Sequence, residues 1–219
     1  MKRNVSLNEI SDGRLYNVND MVKADCHGCH GCSDCCRGMG NSIVLDPYDI
    51  YRLTIGLHTT MQALLSETVE LNVVDGVILP NLKMSGPEEC CSFLNKEGRC
   101  EIHAYRPGIC RLFPLGRYYE NGSFKYFLQI GECSGAKPTK IKVSKWIDTP
   151  DLERNRDFIT RWHYLMNEME ESVASNEDDT FRKNLNLLVL NIFYLAPYEE
   201  RDFYQQFEER YQRFRQIVS

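Results

Sequence analysis

The sequence predicts an α+β fold: an irregular cysteine-cluster core with short hairpins and helices, packed against a C-terminal layer of about three helices. Three observations carry that prediction. All ten cysteines lie between Cys26 and Cys133, among glycines and other turn residues. Asp75-Gly76 and Asn121-Gly122 each separate two β-prone stretches, as tight hairpins require. From Asp148 onward there is no cysteine, and apolar residues recur at helical spacing.

Taken in order, residues 1–25 read as a polar lead-in with little periodicity. Residues 26–147 form the cysteine-bearing region, and its first run, Cys26 to Cys36, reads as a loop made tight by Gly28 and Gly31. Ser42–Leu45 is a strand candidate. Asp46-Pro47 then supplies an N-cap and a first-turn proline, predicting a helix over Pro47–Gly56 with Ile50, Leu53 and Leu57 on one face. A second helix is expected over Thr60–Thr68, a hairpin at Val73–Ile78, and a turn at Asn95–Gly98. A further hairpin joins Arg117–Tyr119 to Phe124–Leu128. Residues 148–219 are expected to form a helical layer within the same compact domain. Thr149-Pro150-Asp151 opens its first helix, which carries Phe158, Trp162, Leu165, Met166 and Met169. Phe181–Tyr194, apolar nearly all round, reads as a buried helix. Pro197 is expected to open the last one, with the stripe Phe203, Phe207, Tyr211 and Phe214.

Charge and composition narrow the function. The net charge of −5 resides in residues 150–219, where 14 acidic side chains face 9 basic ones. The balanced remainder offers no basic excess for a phosphate backbone, so no nucleic-acid partner is expected. Lys137, Lys140, Lys142 and Lys145 read as a solvated segment. No apolar run nears the roughly 20 residues that span a bilayer, and the N-terminus lacks a secretory pattern. The expectation is a cytoplasmic protein without a membrane partner, in a compartment where thiols stay reduced. Ten cysteines there point to metal rather than disulfides, and the neighbours Cys35 and Cys36 could form only a strained bridge.

Spacing strengthens that reading. Cys26, Cys29, Cys32 and Cys35 recur every third residue, with Cys36 appended. Two intervening residues let a looping chain bring two sulfurs to one ion, as in bacterial iron–sulfur runs and zinc knuckles. These cysteines sit among Gly, His, Ser and Asp, poor material for a core. Ionised thiolates gathered without a cation would repel strongly, so metal binding should couple to folding of residues 26–133. Arg37, Arg106 and Arg111 could offset residual negative charge. His27, His30 and His103 neighbour the cysteines and could ligate, whereas His58 and His163 have no ligand neighbours.

The string Cys29-His-Gly-Cys32-Ser-Asp-Cys35-Cys36 resembles the CxxCxxCC signature of the YkgJ-like cysteine-cluster family of zinc- or iron-chelating proteins. The resemblance continues through Cys91-Ser-Phe-Leu, Gly98-Arg-Cys100, Tyr105-Arg-Pro-Gly-Ile-Cys110-Arg-Leu-Phe-Pro114 and Gly131-Glu-Cys133. It implies Cys29, Cys32, Cys35, Cys36, Cys91, Cys100, Cys110 and Cys133 as ligands, with Cys26 and Cys90 as extras. At this motif the family is also similar to a module of the flagellin lysine methylase, where an iron–sulfur cluster is implied.

Eight cysteines could make two four-sulfur sites, or one cluster with sulfurs to spare. An iron–sulfur cluster, such as 4Fe-4S, and zinc both accept this set; the ferredoxin-like first run tilts towards iron–sulfur. The role is then structural, electron-transferring or metal-handling, with a protein partner unidentified. The alternative is a cluster-dependent transferase or oxidoreductase of the methylase type. No GxGxxG, GxxxxGK[ST], GxSxG or radical-SAM C-x3-C-x2-C motif occurs, so no catalytic residue is assigned. Cys26-His-Gly-Cys29-His30 matches the c-type haem pattern, whose chemistry needs export.

Overall fold

The computed structural model describes residues 6–25, 33–132 and 138–218. A one-turn helix α1 (Leu7–Ile10) leads into β1 (Ser11–Tyr16) and β2 (Met21–Asp25), so the polar lead-in contributes two strands. Val22 and Ala24 alternate inward on β2, a signal five residues long. β1 and β2 find partners only far along the chain.

The Asp46 cap works as its sequence predicts. Its carboxylate accepts from the Asp49 N–H at 2.9 Å while the Asp49 carboxylate accepts from the Asp46 N–H at 3.0 Å, a reciprocal box that starts α2 (Pro47–Gly56). Because the helix begins there, the strand expected at Ser42–Leu45 shrinks to one bridge, Val44 to Asn81, flanked by two backbone hydrogen bonds. Thr60 caps α3 (Met61–Glu67). β3 (Val69–Val74) and β4 (Val77–Leu82) form the expected hairpin, with Asp75 and Gly76 at φ 51° and 89°.

Next come β5 (Met84–Ser85), paired with β6 (Cys90–Cys91), and α4 (Gly108–Leu112). The second hairpin joins β7 (Leu115–Glu120) to β8 (Ser123–Gln129) through Asn121 and Gly122, both at positive φ. β1 adds to it antiparallel, giving the order β1-β8-β7, and β2 pairs with β9 (Thr139–Lys142), which runs into α5 (Val143–Ile147).

The helical layer comprises α6 (Leu152–Ser175), α7 (Asp179–Leu190) and α8 (Phe203–Val218). All five apolar residues expected on α6 are buried. Two details differ from expectation. α7 is amphipathic, not apolar all round: Leu185, Val189 and Leu190 face inward, while Phe181 and Leu187 are about 40% exposed. It ends in one wider turn over Asn191–Leu195. Pro197 does not open α8; the helix waits until Phe203, where the Asp202 carboxylate accepts from the Gln205 N–H at 2.8 Å. Phe203, Phe207 and Phe214 are buried, and Phe158 meets the first two edge-on at 5.0 and 4.7 Å.

The layer is tied to the cysteine-bearing half. The Tyr194 hydroxyl donates to the Leu45 carbonyl at 3.1 Å, and the Ile78 N–H donates to the Asn186 side chain at 2.6 Å. One hydrophobic core runs from Tyr16 to Phe214. Among the described residues, no helix is long and apolar enough to cross a membrane.

Candidate metal centre

Six cysteines are described, each as a free thiol: Cys35, Cys36, Cys90, Cys91, Cys100 and Cys110. Cys26, Cys29, Cys32 and Cys133, with His27 and His30, lie outside the described residues. Cys35 and Cys36 occupy a single 3-10 turn, Asp34–Cys36. Arg37 bridges to Cys90, and the Gly38 N–H donates to the Glu89 carbonyl, so this turn is laid against β6. Cys91 sits on β6 itself.

Cys100 is returned beside it by the Asn95–Gly98 turn. The Asn95 carboxamide accepts from the N–H groups of Glu97 and Arg99, and Gly98 takes φ 69°, a region costly for a side-chain-bearing residue. A bridge between Leu94 and Cys100 closes the loop.

Cys110 is placed by two buried side chains. Asp49 accepts from the Gly108 N–H at 2.7 Å and so fixes the start of α4 to α2. Arg111 spreads its fork over three carbonyls, those of Ala104 at 2.8 Å, Arg106 at 3.3 Å and Asp148 at 2.5 Å. The expectation that Arg111 offsets thiolate charge gives way to this bracing role, since its donors point at backbone. Asp49→Ala strands the N–H groups of Gly108 and Asp46 and is expected to cost about 2–5 kcal/mol. Thermal unfolding would then move down by roughly 5–15 °C.

The result is a cavity of about 300 Å³ whose walls carry Cys35, Cys36, Cys91, Cys100 and Cys110. Four separate chain segments supply them. His103 and Arg106 share the wall. Cys90, next to Cys91, does not line it: its sulfur lies 3.0 Å from the Arg37 guanidinium, which also pairs with Glu88. The adjacent cysteines of β6 point to opposite faces, as strand geometry requires.

Electrostatics distinguishes the thiols. A hydrogen bond from the Cys36 thiol holds Cys35 down to about 7, against the opposing effect of burial, with help from Arg106. Donating that bond, and burial, push Cys36 up. Burial raises Cys91, Cys100 and, most strongly, Cys110. Burial, then Arg106 and Arg111, lower His103, which keeps its imidazole neutral at pH 7. A raised thiol stays protonated at pH 7, and a metal takes it as thiolate. Zinc titrated into metal-free protein should therefore release a proton from each of Cys91, Cys100 and Cys110, and bind more tightly as pH rises. Calorimetry in buffers of different ionisation enthalpy reads that release; zero release would refute the assignment of these three.

Among the described residues, no three Cys, His, Asp or Glu side chains are already drawn together as a metal-holding group. The donor chemistry nevertheless suits a thiophilic cation. Five sulfurs face one space, and the Arg106 Nε is buried without a hydrogen-bond partner beside them, a donor that a negatively charged thiolate centre would satisfy.

Fold and cavity define a class: an α+β protein whose scattered cysteines converge on one thiol-walled space. Residues 28–134 match the model of the CxxCxxCC family, "Putative zinc- or iron-chelating domain", the family that the cysteine signature resembles. Zinc or iron chelation is the chemistry by which the family is described. No curated protein and no solved structure matches the chain.

Sequence reasoning missed Asp49 and Arg111 as the groups that position Cys110. Asp49 was visible as the third residue of a capping box, but its bond to Gly108, 59 positions away, was not.

Proposed function

We propose that this chain is a cytoplasmic metal-binding module that holds an iron–sulfur cluster or zinc through Cys29, Cys32, Cys35, Cys36, Cys91, Cys100, Cys110 and Cys133. The convergence of Cys35, Cys36, Cys91, Cys100 and Cys110 on one cavity is the observation that supports it. When bound, zinc would brace the fold without redox, whereas an iron–sulfur cluster would also carry electrons. The chain's own contribution is to bring the sulfurs together, to offset their charge with Arg106, and to keep α4 in place through Asp49 and Arg111.

Neither nucleic acid nor membrane is a partner in this reading: the cysteine-bearing half is charge-balanced, and its working surface is an internal cavity. Anaerobic purification followed by elemental analysis and a visible spectrum tests it. Brown protein with broad charge-transfer absorption identifies iron–sulfur, and colourless, zinc-loaded protein identifies zinc. Protein that takes up neither metal refutes the proposal.

A further inference from the structure

The β2–β9 ribbon gathers cations on its outer face. Antiparallel pairing sets Met21 opposite Lys142 and Lys23 opposite Lys140. Residues directly opposite share a face, and Val22 and Ala24 turn the other face into the core. Met21 is 53% exposed, Lys23 and Lys140 are exposed, and Lys142 is half-buried. Lys145 is exposed on α5, the helix that follows β9 directly. Like charges set directly opposite one another cost stability, so Lys23 and Lys140 make a poor pair for folding alone.

The fold does not offset that cost. Among the described residues every ion pair uses an arginine, and none includes these lysines. The acids at the two ends of β2 are engaged locally. Asp20 accepts from the Asn17 N–H at 2.6 Å, and Asp25 accepts from the Thr139 hydroxyl at 3.5 Å. The ribbon is also fastened to the thiol-bearing half through α5. The Trp146 indole N–H donates to the carbonyls of Leu112 and Phe113, at the end of the Cys110 helix, at 3.2 and 3.1 Å.

We propose that this ribbon docks an acidic protein surface, a compact group of carboxylates facing Lys23, Lys140, Lys142 and Lys145 around Met21. Charge selects that partner. The chain as a whole carries −5, which opposes an extended polyanion such as DNA or an anionic bilayer. A small acidic patch can come within the screening length of the lysines, about 8 Å at physiological salt, without facing the rest of the chain. Lysines attract it as point charges rather than as fixed forks, which gives fast, salt-sensitive docking. A partner seated there lies one element away from the helix that carries Cys110. The proposal rests on the ribbon and not on which metal the cysteines hold.

The test uses the full chain as purified and fluorescein-labelled octaglutamate as the probe, followed by fluorescence anisotropy. A short DNA duplex and phosphatidylserine vesicles are the comparisons. Octaglutamate should bind saturably at about 10 mM salt and about tenfold or more weaker at about 150 mM, as the screening length falls from roughly 30 Å to 8 Å. Lys23→Glu and Lys140→Glu should each weaken it by about tenfold. Lys183→Glu, an exposed position on α7 with the same change in net charge, should leave it within about twofold. Lys23→Glu also replaces a like-charged cross-strand pair with an opposite one, so its melting temperature should hold or rise and lost binding cannot be put down to misfolding. No saturable binding, or equal weakening by Lys183→Glu, overturns the proposal. So does tighter binding of the duplex or the vesicles than of octaglutamate. Unchanged affinity in both ribbon variants leaves the lysines only the task of discouraging edge-to-edge strand pairing, and overturns it too.

Discussion

Cys110→Ser is expected to strip the bound metal and lower the melting temperature by about 10 °C or more. Burial pushes the Cys110 thiol well up, and the residue sits on a five-residue helix that would have little independent stability. Serine is a poor ligand for a thiophilic cation, so the change removes both a metal bond and the folding energy that the bond supplies. Cys35→Ser should behave alike, because Cys35 shares the cavity and is the thiol whose ionisation Cys36 and Arg106 favour. Cys90→Ser is the control: its sulfur faces Arg37 outside the cavity, so metal content should persist and the melting temperature move by about 2 °C or less. Metal analysis with scanning calorimetry on the three variants distinguishes position from mere cysteine content. If all three behave alike, the cavity does not define the site.

Arg111→Ala should destabilise the fold by about 3–5 kcal/mol, through carbonyls rather than through charge. Arg111 is 7% exposed, and its three acceptors belong to Ala104, Arg106 and Asp148. Burial lowers its pKa, yet an arginine remains cationic at any ordinary pH, so the cost is one of unpaired acceptors. Arg111→Lys retains the charge and loses the planar fork; it should recover less than half of the loss. Full rescue by lysine, seen as an unchanged midpoint in denaturant unfolding, would show that charge alone matters there.

Local chemistry made much of this molecule readable in advance. Asp46-Pro47 announced α2, and Asp75-Gly76 and Asn121-Gly122 announced the hairpins, because each signal acts within four residues. The period of α6 was equally plain, since one face buries Phe158, Trp162, Leu165, Met166 and Met169. β1 and β2 were not legible: their partners lie more than 100 residues away, and β1 buries only Ser11 and Tyr16. The false start at Pro197 has a similar cause. A proline can open a helix, but the side chain that caps α8 is Asp202, and proline cannot make that bond.

At the site, spacing singled out the cysteines, while sorting them needed three dimensions. Cys90 and Cys91 look equivalent in sequence, and a strand turns one into the cavity and the other towards Arg37. Arg106 and Arg111 also look interchangeable; one lines the cavity with an unpaired Nε and the other braces backbone.

Metal-edge X-ray absorption on anaerobically purified protein bears most directly on the claim that distant sulfurs share a cation. Shared thiolate ligation predicts a first shell of sulfur at about 2.3 Å, for zinc or for iron. A first shell of oxygen and nitrogen at about 2.0–2.2 Å, with sulfur absent, would contradict it.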